Sequence, residues 1–446
     1  MSSTPGALAL PGPAVRGFTH WRALTFWSLL IGYAAYYLCR PNLAAAAGFL
    51  ATEEGIDTLA FGGIASIGTL SYAVGKFGAG PLAERLGGRR VFLIGLFGSA
   101  AVTGLIGLSS GAVLLAVLWG AGRLLQSVGW QGLVDVIPRW YERAKHGTAM
   151  GLISTSYQVG GAVAPLLLGA LISAGFGWRA LFVIPAMLLA AVGMLGSGGI
   201  VNRPEDRGLP ALPLDAETGA QGDREPWAGR AAALLVRPAF LLALGTAFTL
   251  TLLRECFAIW MPKYFLDLGE TADIALFKST VFPIFGIVGS LAAGAASDRL
   301  AGGRRGPVMA VFLAGLIAAL VGLAHVDALT QWLAPAVPGL GPGLVAFALV
   351  GAAGFFVFGP YSMIGGGVVA LDFGGRQSAA TAAGLLDGIG YLGASLAGVG
   401  VARVVATWGW SIAFDILAAL AASAVFLTLP LWRRPQVRAA VRASSA

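Results

Sequence analysis

Apolar segments long enough to cross a bilayer recur along the whole chain, and they constrain the fold more than any motif does. A helix needs about 20 apolar residues to span the hydrocarbon core. Twelve such windows are predicted, at residues 22–50, 58–80, 90–109, 112–137, 148–175, 179–200, 238–266, 273–297, 307–325, 339–371, 378–402 and 408–431. The pattern predicts an all-α membrane protein with twelve transmembrane helices.

The composition excludes a soluble protein of this length. Hydrophobic residues make up 57% of the 446 residues and charged residues 11%, and a soluble domain needs about twice that charged fraction. The N-terminal stretch "MSSTPGALALPGPAVRGFTHWR" has Pro and Gly where a signal peptide would have its apolar core. We therefore expect a multi-pass integral protein of the cell (inner) membrane, beginning with a short cytoplasmic tail.

One long hydrophilic stretch divides the chain. It reads "NRPEDRGLPALPLDAETGAQGDREPWAGR" and follows the sixth predicted span. The expected organisation is a tail at 1–21, a six-helix bundle at 22–200, a linker at 201–237, a second six-helix bundle at 238–431 and a tail at 432–446. The two bundles are expected to be pseudo-symmetric.

The distribution of basic residues predicts the orientation. With both termini inside, most of the 29 Lys and Arg fall in the tails and the even-numbered loops, and the outer loops hold only Arg179, Lys263, Lys278 and Arg403. Lys and Arg collect in cytoplasmic loops of membrane proteins. Both termini are therefore predicted to be cytoplasmic. The same distribution explains the net charge of +8 without a nucleic acid partner.

Four basic residues fall inside predicted spans: Arg40, Lys76, Arg123 and Arg254. Inserting each at mid-bilayer costs about 2.5–3.5 kcal/mol on the translocon scale, so we expect some of them to be functional. An internal repeat relates two of them. "GPLAERLGGRR" recurs as "GAASDRLAGGRR" with an offset of 214, and the same offset relates Arg40 to Arg254. Transporters built from repeats bind substrate where the repeats meet, and paired guanidiniums there would suit a compact oxyanion.

Three tyrosines precede Arg40 on the same predicted helix face: Tyr33, Tyr36 and Tyr37. Their hydroxyls could donate to an anion, or their rings could stack against the guanidinium. Equally, each could simply fill a helix interface. The matching face near Arg254 offers only Thr251, so the two half-sites are expected to differ.

At these residues the chain resembles the major facilitator superfamily. The repeated loop is similar to the family's motif between its second and third helices, and "GRLLQSVGWQG" is similar to its fourth-helix motif. "GYAAYYLCRPN" closely resembles the first helix of the organophosphate:phosphate antiporters. "LLRECFAIWMPKYF", "FVFGPYSMIGG" and "TAAGLLDGIGYLGAS" are similar to their seventh, tenth and eleventh helices.

The resemblance implies roles for particular residues. Arg40 and Arg254 would bind the phosphoryl group, and Lys76 would assist at the inner mouth of the site. Tyr157 stands where glycerol-phosphate carriers have a histidine, and Pro41 stands where a basic residue usually follows the first arginine. These departures leave phosphate binding plausible and put glycerol 3-phosphate itself in doubt.

Two carboxylates inside the predicted spans have several possible roles. Asp387 could accept hydrogen bonds from sugar hydroxyls, pair with Lys76 or an arginine, carry a proton, or lie at a helix interface. Glu255 follows Arg254 about 100° round the helix. It is expected to face another helix and to pair with Arg123, without contacting substrate.

The repeated loops predict a conformational latch. Its residues are Gly80, Glu84, Arg85, Arg89, Asp298 and Arg299. The acidic pair Glu84 and Asp298 could reach basic residues or helix N-termini in one conformation only. Topology alone would explain the arginines of these loops, but not the repeated acidic residue.

The expected function is exchange of an organic phosphate ester, of the sugar phosphate or glycerol 3-phosphate type, for inorganic phosphate. The alternatives are a proton-coupled organic-anion symporter using Asp387 or Glu255, and a membrane sensor of sugar phosphates. The sequence shows no nucleophile–base set, metal cluster or phosphate-cradling loop, so neither an enzyme nor a cofactor or metal is expected. A functional monomer is expected.

Overall fold

The computed structural model describes residues 12–141, 143–210, 227–299, 305–337, 339–365 and 368–432. Throughout these ranges the regular structure is helical. The α-helices are α1 Gly12–Tyr36, α2 Asn42–Ala45, α3 Ala47–Glu53, α4 Thr58–Leu86, α5 Gly88–Ile106, α6 Ala112–Ser127, α7 Gly129–Val136, α8 Arg143–Ser173, α9 Ala180–Ser197, α10 Trp227–Leu235, α11 Pro238–Asp267, α12 Ala272–Ser279, α13 Val281–Arg299, α14 Gly306–Ala324, α15 Val326–Leu333, α16 Pro342–Gly365, α17 Val368–Ala394 and α18 Leu396–Leu427. The predicted all-α class is confirmed.

Ten helical segments in the described ranges are long and apolar enough to cross a membrane. They match the twelve predicted windows with two differences. The predicted spans 378–402 and 408–431 form one segment, Thr381–Leu427, and the predicted span 22–50 is not among the ten. The local backbone explains both differences.

The joined segment bends at Gly409. This residue has φ of +80° inside α18, a conformation that residues with a Cβ rarely adopt. A segment of 47 residues is roughly twice the length that a bilayer requires. The bend therefore divides it into two lengths that lie close to the two predicted windows.

The first predicted span is interrupted next to Arg40. Helix α1 ends at Tyr36, and a 3₁₀ turn follows at Tyr37–Cys39. Pro41 has no N–H to donate to the carbonyl of Tyr37, and that carbonyl instead accepts from the backbone N–H of Arg40 at 3.1 Å. The chain then resumes as α2 and α3. The predicted span is therefore divided between separate helices.

Helix α4 extends beyond its predicted end at residue 80. The carboxylate of Asp57 caps its first turn by accepting from the N–H of Ala60 at 2.7 Å. Gly87, with φ of +84°, ends it after Leu86. Hydropathy locates the part of a helix that lies in lipid, whereas caps decide where the helix begins and ends.

Several contacts between the two halves of the chain lie near the loops 54–57 and 268–271. A methyl group at Gly62 would come within 2.5 Å of the Cβ of Ala402, so only glycine allows α4 and α18 this approach. The hydroxyl of Ser66 donates to the carbonyl of Ser395 at 2.6 Å. On the other side of the bundle, the hydroxyl of Ser173 donates to Asp273 at 3.0 Å. The halves are thus joined at this end, and their contacts continue along α4 as far as Lys76.

Candidate functional site

A cavity of about 180 Å³ lies between the halves and is built mainly from α4, α8, α11, α13 and the broken segment around Arg40. Four of its lining residues carry a charge: Arg40, Arg123, Arg254 and Glu255. Three guanidiniums against one carboxylate leave two positive charges in excess. Uncompensated charge inside a membrane protein is costly, so this imbalance favours an anionic ligand.

Arg40 is held by two tyrosines. Its guanidinium donates to the hydroxyls of Tyr37 at 3.0 Å and Tyr72 at 2.9 Å, and it lies 4.0 Å from the ring centre of Tyr37. Within the described residues, no carboxylate lies at ion-pairing distance from it. Its Nε is buried and makes no hydrogen bond. Arg40 is therefore fixed in position with a donor still unused.

Arg254 also lies among tyrosines, although the sequence indicated only Thr251 on its face. Its guanidinium donates to Glu255 at 2.9 Å and to the hydroxyl of Tyr391 at 3.3 Å. It lies 4.7 Å from the ring centre of Tyr361. Thr251 turns away and donates to the carbonyl of its own helix four residues earlier. Like Arg40, Arg254 has a buried Nε without a hydrogen bond, so the half-sites are more alike than expected.

Glu255 bridges two of the cavity arginines. One carboxylate oxygen accepts from Arg254 at 2.9 Å, and the other accepts from Arg123 at 3.4 Å. The expected pairing with Arg123 is present, and it joins α6 of the first half to α11 of the second. Because Glu255 also lines the cavity, it is an internal anion beside the place where an anionic ligand would bind.

Lys76 and Asp387 form an ion pair of 2.9 Å between α4 and α17. Neither residue is among those that line the cavity. The rings of Tyr72 and Tyr391 pack 4.6 Å apart, and the ammonium of Lys76 lies 5.4 Å from the first and 5.9 Å from the second. Of the roles open to Asp387, the structure shows the pairing with Lys76.

The structure separates the tyrosines named from the sequence. Tyr37 and Tyr157 line the cavity, whereas Tyr33 and Tyr36 do not. Tyr33 packs against Tyr36, and the buried Tyr36 donates to the carbonyl of Phe92 at 2.6 Å. A 3₁₀ turn advances each residue by about 20° more than an α-helix does. The turn after Tyr36 therefore breaks the shared face that an uninterrupted helix would give these residues and Arg40.

A pair of hydroxyl deletions is expected to distinguish the two groups of tyrosines. Tyr72→Phe removes a hydrogen bond that positions Arg40, and we expect phosphate binding to weaken about tenfold. Stability should also fall, by about 1.5–3 kcal/mol, because the buried guanidinium loses an acceptor. Tyr36→Phe leaves the carbonyl of Phe92 without this donor and should cost roughly 1 kcal/mol of stability while leaving affinity unchanged. Calorimetric titration with phosphate and thermal unfolding of each purified variant measure both effects. A larger affinity loss in Tyr36→Phe would contradict this assignment.

Most of the predicted latch lies outside the part of the structure that is described. The backbone of Gly80, Glu84, Asp298 and Arg299 belongs to α4 and α13, but the side chains of the three charged residues lie outside the described residues.

The two remaining latch residues have described side chains. Arg85 is exposed. Arg89 donates to the carbonyl of Ser197 at 3.3 Å, and its backbone N–H donates to Asn202 at 2.8 Å. Neither partner of Arg89 belongs to the second half, since Ser197 lies on α9 and Asn202 directly follows the first bundle. The latch stays a prediction.

Sequence reasoning missed Tyr72, Tyr361 and Tyr391 as partners of the arginines. The chain has nine tyrosines, and eight of them lie inside predicted spans, so position in a span does not distinguish these three. No offset or spacing relates them to Arg40 or Arg254. Their proximity is a result of helix packing.

Comparison with known proteins identifies the family to which the chain belongs. The family model of the Major Facilitator Superfamily matches residues 29–398. A "Probable hexose phosphate transport protein" of Chlamydia pneumoniae is 28% identical over 432 residues, covering 93% of this chain and 92% of the relative. The "Membrane sensor protein UhpC" of Escherichia coli (strain K12) is 30% identical over 422 residues, with the same two coverages. The "Glycerol-3-phosphate transporter" of Bacillus subtilis (strain 168) is 26% identical over 425 residues, covering 92% of each.

Solved structures agree on the fold. A mutant of the nucleoside transporter NupG superposes with a TM-score of 0.70 at 13% identity, covering 93% of this chain and 100% of that one. A bacterial homolog of the human lysosomal transporter Spinster, in an inward-facing and unoccupied conformation, gives 0.67 at 16% identity, covering 92% and 95%. The chain is therefore an integral, multi-pass membrane protein that belongs to the Major Facilitator Superfamily, in its organophosphate:phosphate antiporter-like family.

Proposed function

We propose that this protein is a secondary transporter that exchanges an organic phosphate ester for inorganic phosphate by alternating access. The observation that carries the proposal is the charge of the cavity. Arg40, Arg123 and Arg254 face one carboxylate, Glu255, and the two excess positive charges equal the charge of a phosphate dianion. No catalytic activity is proposed.

The unused hydrogen-bond donors of two cavity arginines support phosphate as the bound anion. Arg40 and Arg254 each keep a buried Nε that makes no hydrogen bond. A guanidinium binds phosphate with parallel N–H donors, and such charge-assisted bonds are stronger than neutral ones. The tyrosines around both arginines restrict their movement, so little side-chain entropy remains to be lost on binding.

The other lining residues of the cavity favour a phosphate ester whose organic group carries hydroxyls. Tyr157, Gln158, Thr69 and Ser279 line it together with apolar side chains, and polar groups of this kind can hydrogen-bond the hydroxyls of a sugar or glycerol phosphate. The relatives described above also support this ligand class, since they include a hexose phosphate transport protein and a glycerol-3-phosphate transporter.

Lys76 and Asp387 are proposed to reach the substrate only in another conformation. They lie beside the ring pair of Tyr72 and Tyr391 and outside the cavity lining. They would become accessible if these rings moved.

The excess positive charge of the cavity also favours exchange of two anions over one-way transport. An empty cavity holds two unneutralised positive charges, so we propose that the halves rarely reorient without an anion. A bound phosphate would neutralise Arg40 and replace Glu255 as the partner of Arg254. The halves would then separate at contacts such as the bond between Ser66 and Ser395. The predicted latch at the opposite end would act in the alternate conformation.

We further propose the topology expected from the sequence. Counting the interrupted segment 12–53 as one span and dividing α18 at Gly409 gives twelve spans, with both termini in the cytoplasm. The two six-helix bundles at 22–200 and 238–431 would be the moving bodies, joined by the linker 201–237. The functional unit would be a monomer.

Uptake into proteoliposomes tests the proposal. Vesicles that contain purified protein and internal phosphate are expected to accumulate labelled phosphate or glucose 6-phosphate, whereas vesicles without an internal anion should take up little. A proton gradient should not replace internal phosphate, because Asp387 and Glu255 are both ion-paired. Uptake that requires the gradient and ignores internal phosphate would contradict antiport and favour the organic-anion symporter.

A membrane sensor of sugar phosphates is the second candidate function. The observation that favours it is the 30% identity to the sensor UhpC. A sensor would bind the same ligands in the same cavity but would catalyse slow or no exchange. The vesicle experiment separates the two when ligand binding is measured on the same preparation by thermal shift. Binding without counterflow would favour the sensor.

A further inference from the structure

A second cavity, of about 600 Å³, lies at the end of α4 that is remote from the loop 54–57. It is formed where α4 passes into α5 and where the chain leaves α9. Its lining includes six arginines, namely Arg85, Arg89, Arg90, Arg139, Arg203 and Arg207. We call this cavity the arginine cleft. Two of these arginines, Arg85 and Arg89, also belong to the predicted latch.

Local backbone geometry holds the cleft in shape. Gly87, at φ of +84°, turns the chain sharply between α4 and α5. The side chain of Asn202 accepts from the N–H of Arg89 at 2.8 Å, and the carboxylate of Asp135 accepts from the N–H of Gly88 at 2.9 Å. These bonds tie the start of α5 to the segment after α9 and to α7. The arginines therefore lie around one concavity.

The cleft has a large excess of positive charge. Arg139 is paired with Asp135 at 2.6 Å, and Arg203 lies 3.7 Å from Asp206. The cleft arginines on α4 and α5 are Arg85, Arg89 and Arg90. Within the described part of the chain, no carboxylate lies at ion-pairing distance from them. The tendency of Lys and Arg to remain cytoplasmic explains the sign of these charges. It does not explain why they converge on one cavity.

The two helices that leave the cleft expose apolar side chains along their length. On α9, Met194 is 65% exposed and Leu195 is 88% exposed, and on α5, Ile94 is 49% exposed. Both helices are candidate membrane spans, so these side chains face lipid tails. A ligand that fits both surfaces has an anionic head and an apolar body. A soluble phosphate ester matches only the cleft.

We propose that the arginine cleft binds the headgroup of an anionic phospholipid, whose acyl chains lie along the exposed faces of α5 and α9. The phosphodiester accepts hydrogen bonds from the guanidiniums of Arg85 and Arg90, which have no carboxylate partner in the described part. Clusters of basic residues beside membrane spans attract anionic lipids in this way. The site is separate from the transport cavity, and it does not depend on the identity of the transported substrate.

Native mass spectrometry of the full-length, detergent-purified protein tests this proposal. The probes are phosphatidylglycerol and phosphatidylcholine of identical acyl chains, titrated separately. The wild-type protein is expected to retain one phosphatidylglycerol at concentrations where phosphatidylcholine is not retained. The double variant Arg85→Gln/Arg90→Gln should bind it roughly 30-fold more weakly, because each arginine contributes about fivefold. Arg85→Lys/Arg90→Lys should keep most of the affinity, because it keeps the charge.

The matched control removes the same charge elsewhere on the protein. Arg16 and Arg237 are exposed and do not line the cleft, so Arg16→Gln/Arg237→Gln should retain wild-type affinity for phosphatidylglycerol. Equal retention of the two lipids would overturn the proposal, as would equal losses in the cleft variant and the control. Displacement of the lipid by millimolar inorganic phosphate would show that the cleft holds a soluble anion instead. Thermal unfolding of each variant confirms that it is folded.

Discussion

Arg40→Lys and Arg254→Lys are each expected to reduce phosphate exchange by about 10- to 150-fold while the protein remains folded and inserted. Lysine keeps the charge but replaces a planar fork with a single ammonium group. Each variant therefore loses charge-assisted hydrogen bonds to the anion, and bonds of this kind are worth about 1.5–3 kcal/mol. At Arg40 the lysine also loses the donors that now reach Tyr37 and Tyr72. The measurement is the initial rate of labelled phosphate uptake into phosphate-loaded vesicles.

Arg403→Lys is the matched control, because Arg403 is exposed and lies outside the cavity lining. It should exchange phosphate at the wild-type rate. Full exchange in either cavity variant would disprove the paired clamp. A loss confined to one of the two would show that a single arginine holds the phosphoryl group.

Glu255→Gln is expected to lower the stability of the ligand-free protein by roughly 3–5 kcal/mol. Removing one partner of a buried ion pair leaves the remaining charge uncompensated, and here two guanidiniums, those of Arg123 and Arg254, lose their carboxylate at once. Phosphate should stabilise this variant more than the wild type, because the added dianion meets no competing carboxylate. Thermal and denaturant-induced unfolding, each with and without phosphate, measure both effects.

A double variant separates charge balance from packing. Arg123→Gln/Glu255→Gln removes one charge of each sign, and two amides can still hydrogen-bond, so much of the stability lost in Glu255→Gln should return. Glu53→Gln is the matched control, because Glu53 is exposed and should be neutral. If phosphate failed to stabilise Glu255→Gln beyond the wild type, Glu255 would not compete with the ligand for Arg254.

The fold was largely predictable because the bilayer restricts what a chain can form. A segment in lipid must satisfy its backbone hydrogen bonds internally, so apolar windows of sufficient length form helices. The windows located the helices of the second half within several residues, apart from the run through Gly409. They failed at Pro41, where one residue without an N–H interrupts a helix that hydropathy alone treats as continuous.

The candidate site was predictable only where charge revealed it. The basic residues Arg40 and Arg254 are conspicuous because an ionisable residue in lipid is costly. Tyrosine carries no such cost and is common in helix interfaces, so Tyr361 and Tyr391 could not be told from packing residues. Tyr36, named because of its spacing, instead donates to a backbone carbonyl of α5.

The class of fold, the family and the intramembrane charges could all be read from the amino-acid sequence, because each follows from local composition or from a motif. Which of those charges meet depended on the packing of the helices. That packing places Glu255 between Arg123 and Arg254, and it pairs Lys76 with Asp387 across the two halves. The physical reason is that side-chain interactions depend on distances of a few ångströms between helices remote in sequence. Those distances are set by helix packing and by local breaks in the backbone.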